Sequence, residues 1–335
     1  GAMRNQIPRS APESAGTPLR DQYMLPARAA KSATIGIISS LYPYRHDHLE
    51  LNNYWVTLMV QTLEQAFSRD GHVSRFINRV SPDGNETVPL KQSIETALAE
   101  GVDALMLVAF GMEAHIVDDA LAALDHTDLP VVCITSGALR RPMPHVFFNN
   151  HSAGYQAGQF LLRQSSKPIL FLTPFSAEWQ SERLGGVLAA AEHSGMPASS
   201  IRVLPRERGS WVQEEDPEIL GYKAAMSVFD ELMAQGPASS PLPNVICIND
   251  GVAFGLLRAA SERGLSPGRD FLVVSFDDHP QSRVRHLTSV RPPMEQMGRE
   301  AARMLLAALQ GEHINLQVCL RWQLIPRGST VSLAT

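Results

Sequence analysis

NDGVAFGLLRAASERGLSPGRDFLVVSFDDHPQSRVRHLTS, residues 249 to 289, contains a complete helix-to-strand passage. Asn249 and Asp250 are residue types that cap helix N-termini through a side-chain oxygen. The apolar residues behind them continue to Gly264, which ends the helix at no steric cost in the left-handed conformation. Phe271–Phe276 (FLVVSF) is a short apolar run closed by Asp277 and Asp278. A run of this length between turn signals reads as a buried strand. A second such run, Asn244–Ile248, stands just before the helix. Strand, helix and strand in this order imply parallel strands joined by a crossover, with both sheet faces covered.

The same alternation extends in both directions. Thr34–Ser39, Val73–Ile77, Val102–Ala109 and Pro130–Ile134 read as strands. Trp55, Leu58, Met59, Leu63, Ala66 and Phe67 share one face of the first helix, and Leu90, Ile94, Ala97 and Leu98 one face of the second. The pattern restarts after Asn149 with a helix to about Gln164. The strands Pro168–Leu172 and Ile201–Leu204 follow, then a helix from Pro217 to near Gln235. A long helix over about Pro293–Gln310 and a final strand over Val318–Leu324 complete the chain. Glycines 71, 101, 195, 236, 264 and 311 stand at six helix ends. Two runs of strand and helix predict two α/β lobes, and a cleft at the C-terminal strand ends suits a small polar ligand.

Composition narrows the classes. The chain has 335 residues, a formal net charge of −5 and 44% hydrophobic residues. That is enough for two cores, and it lacks the basic excess of a chain that grips phosphate backbones by itself. No apolar run reaches the roughly 18 residues of a membrane helix, so no membrane partner is expected. Cys133, Cys247 and Cys319 are distant from one another and lie in apolar stretches, which reads as reduced thiols in the cytoplasm. His46-Asp47-His48 could place two imidazoles on one face of an extended segment. Further ligands are not evident, so a solvated loop is the reading and no metal is expected. The nucleophile-elbow, dinucleotide, phosphate-loop and zinc-protease motifs are all missing, so neither a catalytic residue nor a cofactor is expected. Gly1-Ala2-Met3 reads as the remnant of an expression tag, and residues 4 to about 33 as a linker or arm.

The opening stretch also resembles the effector domains of lactose/galactose-repressor (LacI/GalR) transcription regulators. The resemblance rests on the Asn249-Asp250 pair, the Gly-Leu-Ser-Pro-Gly-Arg-Asp turn at 264–270, the Phe276-Asp277-Asp278 step and Leu287-Thr288-Ser289. SVRPPMEQMGREAARMLLAALQG is similar to the family's hinge-crossing strand and long helix, and LIPRGST to its closing signature. SERLGGVLAA and NNHSAGYQAG are similar to two earlier motifs, so that the likeness covers about residues 34–330. It implies two Rossmann-like lobes with parallel sheets, of the type I periplasmic binding protein-like kind, around a ligand cleft. Residues 34–148 with about 290–320 would form the N-terminal lobe, and about 149–289 with 321–335 the C-terminal lobe.

Carried over position by position, the resemblance implies ligand contacts from Arg183, Asp277, Asn249, Asp250 and Trp211 in one lobe, and from Tyr54 and Trp55 in the other, with Asn149 at the junction. Such residues suit a sugar: Arg donates in a planar fork, Asp and Asn accept, and a ring covers the C–H face. Position alone gives plainer readings. Arg183 could be a surface helix residue, Asp250 and Asp278 helix caps, Trp211 a surface ring and Trp55 core packing. The sequence departs from the family at Pro292, which replaces a common glutamine, at Asn149-Asn150, where an aspartate is lost, and in the long segment LYPYRHDHLELNNYW.

The expected function is therefore a sensor that binds a small molecule, a carbohydrate, in the interlobe cleft and acts as a homodimer. It would control a DNA operator through a separate head outside this chain, since residues 4–33 are too short for a three-helix head. A sugar-binding protein of an ABC transporter shares the cleft and stays open as the alternative.

Overall fold

The computed structural model describes residues 31–41, 47–210, 215–234, 242–314 and 316–330. In chain order the elements are β1 (Thr34–Ser39), α1 (Asp47–Arg69), β2 (Val73–Asn78), α2 (Leu90–Ala99), β3 (Ala104–Ala109), α3 (Ala114–Leu121), β4 (Val131–Thr135) and β5 (His145–Phe148). Then come α4 (Asn150–Gln164), β6 (Ile169–Leu172), β7 (Phe175–Ser176), α5 (Glu178–His193), β8 (Ile201–Leu204), β9 (Gly209–Ser210), α6 (Pro217–Ala234), β10 (Asn244–Cys247) and α7 (Asp250–Glu262). The last are β11 (Val273–Phe276), α8 (Pro280–Val284), β12 (Thr288–Arg291), α9 (Met294–Leu309), β13 (Gln317–Leu320) and β14 (Gln323–Ile325).

The strands form two six-stranded sheets. One has the order β13-β5-β4-β3-β1-β2 and is parallel throughout; the other has the order β14-β12-β11-β10-β6-β8, with only β14 antiparallel. Central strands β3, β4 and β10 are buried at every residue, as apolar runs covered on both faces must be. Edge strand β2 alternates in exposure and carries Arg75 outward. Each sheet with its helices is a lobe, and the chain passes between the lobes three times: at Asn149, at Pro292-Pro293 and at Arg321-Trp322.

The third passage corrects the sequence reading of one strand over Val318–Leu324. Two strands occupy this stretch, in different sheets, because the buried Trp322 lies at the crossing between them. Strand β5 was not legible either, since its four residues are too short to show a period. Gly71, Gly101, Gly195, Gly264 and Gly311 all take φ between 69° and 82°, the left-handed helix ends expected of them. Gly236 lies outside the described residues.

The second lobe depends on close helix packing. A Cβ at Gly154 on α4 would lie 1.9 Å from the Arg183 carbonyl oxygen, and one at Gly186 on α5 would lie 2.0 Å from that of His151. The α4 and α5 backbones therefore touch, and this contact fixes where α5 presents Arg183. Gly221 and Gly255 make the same approach between α6 and α7.

Candidate functional site

Between the lobes lies a cavity of about 140 Å³, floored by the crossing residues Pro292 and Trp322. Its walls are largely aromatic: Trp55 from α1, Phe110 after β3, Phe148 at the end of β5, Phe175 and Trp179 around the start of α5. Phe110 and Phe148 stack at 5.5 Å, and Phe148 meets Trp322 at 5.1 Å.

Arg183 is the central charge. It is only 5% exposed, and its guanidinium lies 4.7 Å from the Trp179 ring and 4.8 Å from the rings of both Phe276 and Trp322. A weakly hydrated planar cation can sit among aromatic faces at modest cost. Nη1 donates to the Ile248 carbonyl at 2.7 Å, and Nε to Asn150 Oδ1 at 3.2 Å. Nη2 faces the Asp277 carboxylate at 3.6 Å. Burial lowers the Arg183 pKa, and the Asp277 charge opposes that shift. Burial raises the Asp277 pKa, with Arg183 holding it back. The two shifts share one cause, burial, and the charge of each partner opposes the shift of the other. Asp277 remains 31% exposed because it opens onto the cavity.

The turn that carries Asp277 is unusual. Asp277 has φ of 101° and Asp278 of 47°, a region that residues with a Cβ seldom enter. The backbone is held there by two bonds to β12: Asp277 N–H donates to the Val290 carbonyl at 2.9 Å, and Asp278 N–H to Ser289 Oγ at 2.9 Å. Strain of this kind persists only where surrounding contacts over-determine it, and it clusters at ligand sites.

The residues singled out in the sequence divide. Arg183, Asp277, Asn249 and Trp55 come together around the cavity. Asn249 also caps α7, accepting from Val252 N–H at 2.9 Å. Three others are corrected in placement. Asp250 is buried away from the cavity, where its carboxylate accepts from His279 N–H at 2.8 Å, Ser282 Oγ at 2.5 Å and Ser289 Oγ at 2.7 Å; it braces the strained turn. Asn149 caps α4 by accepting from Ser152 N–H at 2.8 Å, so its oxygen is committed to the helix. Tyr54 faces outward into a separate groove and meets the His279 ring edge-on at 5.2 Å. Trp211 and His46 lie outside the described residues. Among the described residues, no group of three or more His, Cys, Asp or Glu side chains is placed to hold a metal, and no helix is long and apolar enough to cross a membrane.

Asn150, rather than its neighbour, reaches the cavity. Its Nδ2 donates to the Ser136 carbonyl at 2.7 Å in the first lobe and to Glu182 at 3.0 Å in the second. Glu182 itself is shifted upward by burial. Glu178 makes a further bridge, accepting from Ala114 N–H at 3.1 Å across the cleft. The sequence reading missed Trp179, Trp322, Phe110 and Phe148. Trp179 had a usable signal, because it precedes Arg183 by four residues and so shares its helix face.

A ligand cavity enclosed by two parallel-sheet lobes, with an arginine–aspartate pair facing aromatic walls, defines a two-lobed small-molecule-binding protein. Residues 158–330 match the family described as the periplasmic binding protein-like domain, and the chain belongs to that family. It is 27% identical over 250 residues to the HTH-type transcriptional repressor CytR of Escherichia coli, covering 72% of this chain and 67% of that one. It is 24% identical over 230 residues to the HTH-type transcriptional repressor PurR of Actinobacillus pleuropneumoniae, covering 68% of this chain and 62% of that one. In fold it is similar to a LacI family transcriptional regulator from Enterococcus faecium with bound ribose: TM-score 0.68, 20% identity, 90% of this chain and 100% of the other. It is also similar to the lac repressor dimer bound to operator and an anti-inducer: TM-score 0.68, 19% identity, 95% of this chain and 100% of the other.

Proposed function

We propose that this chain is the sensing part of a cytoplasmic transcription regulator, and that a small neutral polyhydroxylated molecule of the monosaccharide class is its effector. The observation that carries the ligand class is the balanced Arg183–Asp277 pair facing aromatic walls. Arginine donates to hydroxyls and aspartate accepts from them, while Trp55 and Phe148 can cover a C–H face. The cavity is below the ~300–1,000 Å³ of drug-sized pockets, which favours a small ligand. An anion would have to compete with Asp277 for the same guanidinium. The ribose bound by the E. faecium protein agrees with this size and chemistry.

The lobes would be residues 34–148 with about 290–320, and 149–289 with 321 onward. Ligand binds both of them and so biases their relative rotation, as any ligand with different affinity for two arrangements must. In a homodimer that rotation changes the spacing of two DNA-binding heads, which have to match half-sites about one helical turn apart. The repressor relatives support this reading over solute delivery to a transporter, and over an enzyme.

The test is thermal stability against pentoses, hexoses, their phosphates, polyols and nucleosides. A ligand at 100 times its Kd adds about 2.7 kcal/mol to the native state. Arg183→Ala and Asp277→Ala should each abolish the shift. A shift that survives in both variants would remove these residues from the site, and a response to sugar phosphates alone would overturn the neutral-ligand reading.

A further inference from the structure

A second groove, of about 590 Å³, lies on the outer side of the wall formed by Trp55, Pro292 and Met294, which line both spaces. Its charge is unlike that of the cavity. Arg283, Arg291, Arg299, Arg321 and Arg327 line it, against two carboxylates, Asp278 and Glu295. Asp278 is already held by Arg291 and Arg327 at 2.6 Å each, and Glu295 faces Arg299 at 3.3 Å. Arg283 and Arg321 are exposed and make no ion pair among the described residues. His279, the remaining titratable lining group besides Tyr54, is shifted by burial down to about 4 and carries no charge at neutral pH.

The backbone adds to this potential. The sixteen-residue helix α9 begins at the groove with Pro293 at its N-cap, and no side chain caps it. Proline has no side-chain oxygen to cap the first turn; Met294 N–H donates to the Pro292 carbonyl at 2.9 Å, and the positive end of the helix dipole lies beside the arginines. The groove is lined by α1 and by the turn into α8 and is open to solvent on its outer side.

We propose that this groove binds a small phosphate-bearing metabolite, as a second effector site distinct from the interlobe cavity. Guanidinium forks match phosphate oxygens two at a time, and the helix end supplies further donors. The site would also report on lobe arrangement. Arg283 belongs to α8 on the second lobe, Arg299 to α9 on the first, and Arg321 to the crossing between them. One phosphate group shared by these three would tie the lobes together. The proposal does not depend on the identity of the neutral ligand.

The experiment is calorimetric titration of the chain with inorganic pyrophosphate, and separately with inorganic phosphate and citrate, at about 0.15 M chloride to screen diffuse attraction. Pyrophosphate should bind saturably at one site. The Arg283→Ala/Arg321→Ala double variant should weaken it roughly tenfold or more, because each change removes a charged donor. Neither change leaves a buried acid unpaired, and an unchanged melting temperature would show that the fold survives. Should that variant melt early, Arg283→Glu alone provides the same readout. Arg183→Ala, which acts in the cavity, should leave pyrophosphate binding intact. Undiminished binding in the double variant, non-saturable binding, or binding of citrate with both phosphates silent would each overturn the proposal.

Discussion

Gly154→Ala tests whether the α4–α5 contact positions the central arginine. The new Cβ would lie 1.9 Å from the Arg183 carbonyl oxygen, 2.7 Å from its carbonyl carbon and 2.9 Å from its Cα. Ordinary C···O contacts begin near 3.3–3.6 Å, so the helices must separate by about 1.5 Å. The obstacle is backbone, which cannot turn aside as a side chain can. Overpacking costs typically 1–3 kcal/mol, and the upper end applies here. Alanine returns about 1 kcal/mol in helix propensity, leaving a net loss of about 2 kcal/mol. For a chain of this size that lowers the melting temperature by about 3 °C. Gly185→Ala, one helix over, is the control: its Cβ would meet only the His151 ring at 3.6 Å, an ordinary contact. It should gain up to about 1 kcal/mol from propensity alone. Thermal denaturation followed by circular dichroism reads both. A Gly154→Ala protein melting at or above wild type, or a Gly185→Ala protein falling as far, would refute the claim that backbone contact fixes α5.

Three further outcomes follow from the same geometry. Burial, and then the charge of Asp277, push the Asp250 pKa up to about 7, so the folded state holds a proton that the unfolded chain has released, and this group makes stability fall between about pH 4 and 7. His279, pushed down to about 4 by burial and then by the Arg285 charge, acts oppositely, costing stability as pH falls from 6.5 towards 4; Asp250→Asn should therefore make stability rise more steeply with pH over this window, and a slope identical to wild type in urea titrations would contradict it. Cys133 and Cys247 are buried with thiols shifted upward by desolvation, whereas Cys319 is exposed, so a thiol reagent should modify one cysteine in the native protein and three after unfolding. Trp55, Trp179 and Trp322 line the cavity, so an effector bound there should change tryptophan emission; Trp322→Phe should reduce that change, and an undiminished response would place the ligand elsewhere.

The fold was legible because its central strands are unmixed apolar runs and its helices stop at glycines, two signals that depend only on neighbouring residues. The lining of the candidate site was legible where a residue's placement follows from its element. Arg183 on the α5 face and Asp277 at the end of β11 are carried to the cavity by the helix and strand themselves. Asn149 and Asn150 show the limit. Adjacent, identical side chains differ in role by one step of backbone: one oxygen caps α4, and the other residue bridges the lobes. Nothing local distinguishes them. Trp322 was hidden for a related reason, since a break between strands of different sheets leaves no mark on an apolar pattern that runs through it.

The distribution of charge separates the cavity from the outer groove more firmly than their shapes do. In the cavity, one buried guanidinium faces Asp277, with Asp250 and Glu182 also near enough to act on it. No positive charge is left over, and an incoming anion would lose to a carboxylate already in place. Hydroxyl groups can share both partners without displacing either, which is the ground for proposing a neutral polar ligand there. In the outer groove, five arginines face two carboxylates that are already paired. An anion from outside would relieve the repulsion that remains among them. Asp278 lies in this groove and Asp277 in the cavity, on consecutive residues of one strained turn. A rearrangement of the arginines around the first would have a route to the second through this shared turn. Occupancy of the groove should shift affinity in the cavity, and by thermodynamic linkage the neutral ligand must shift affinity for the anion by the same factor.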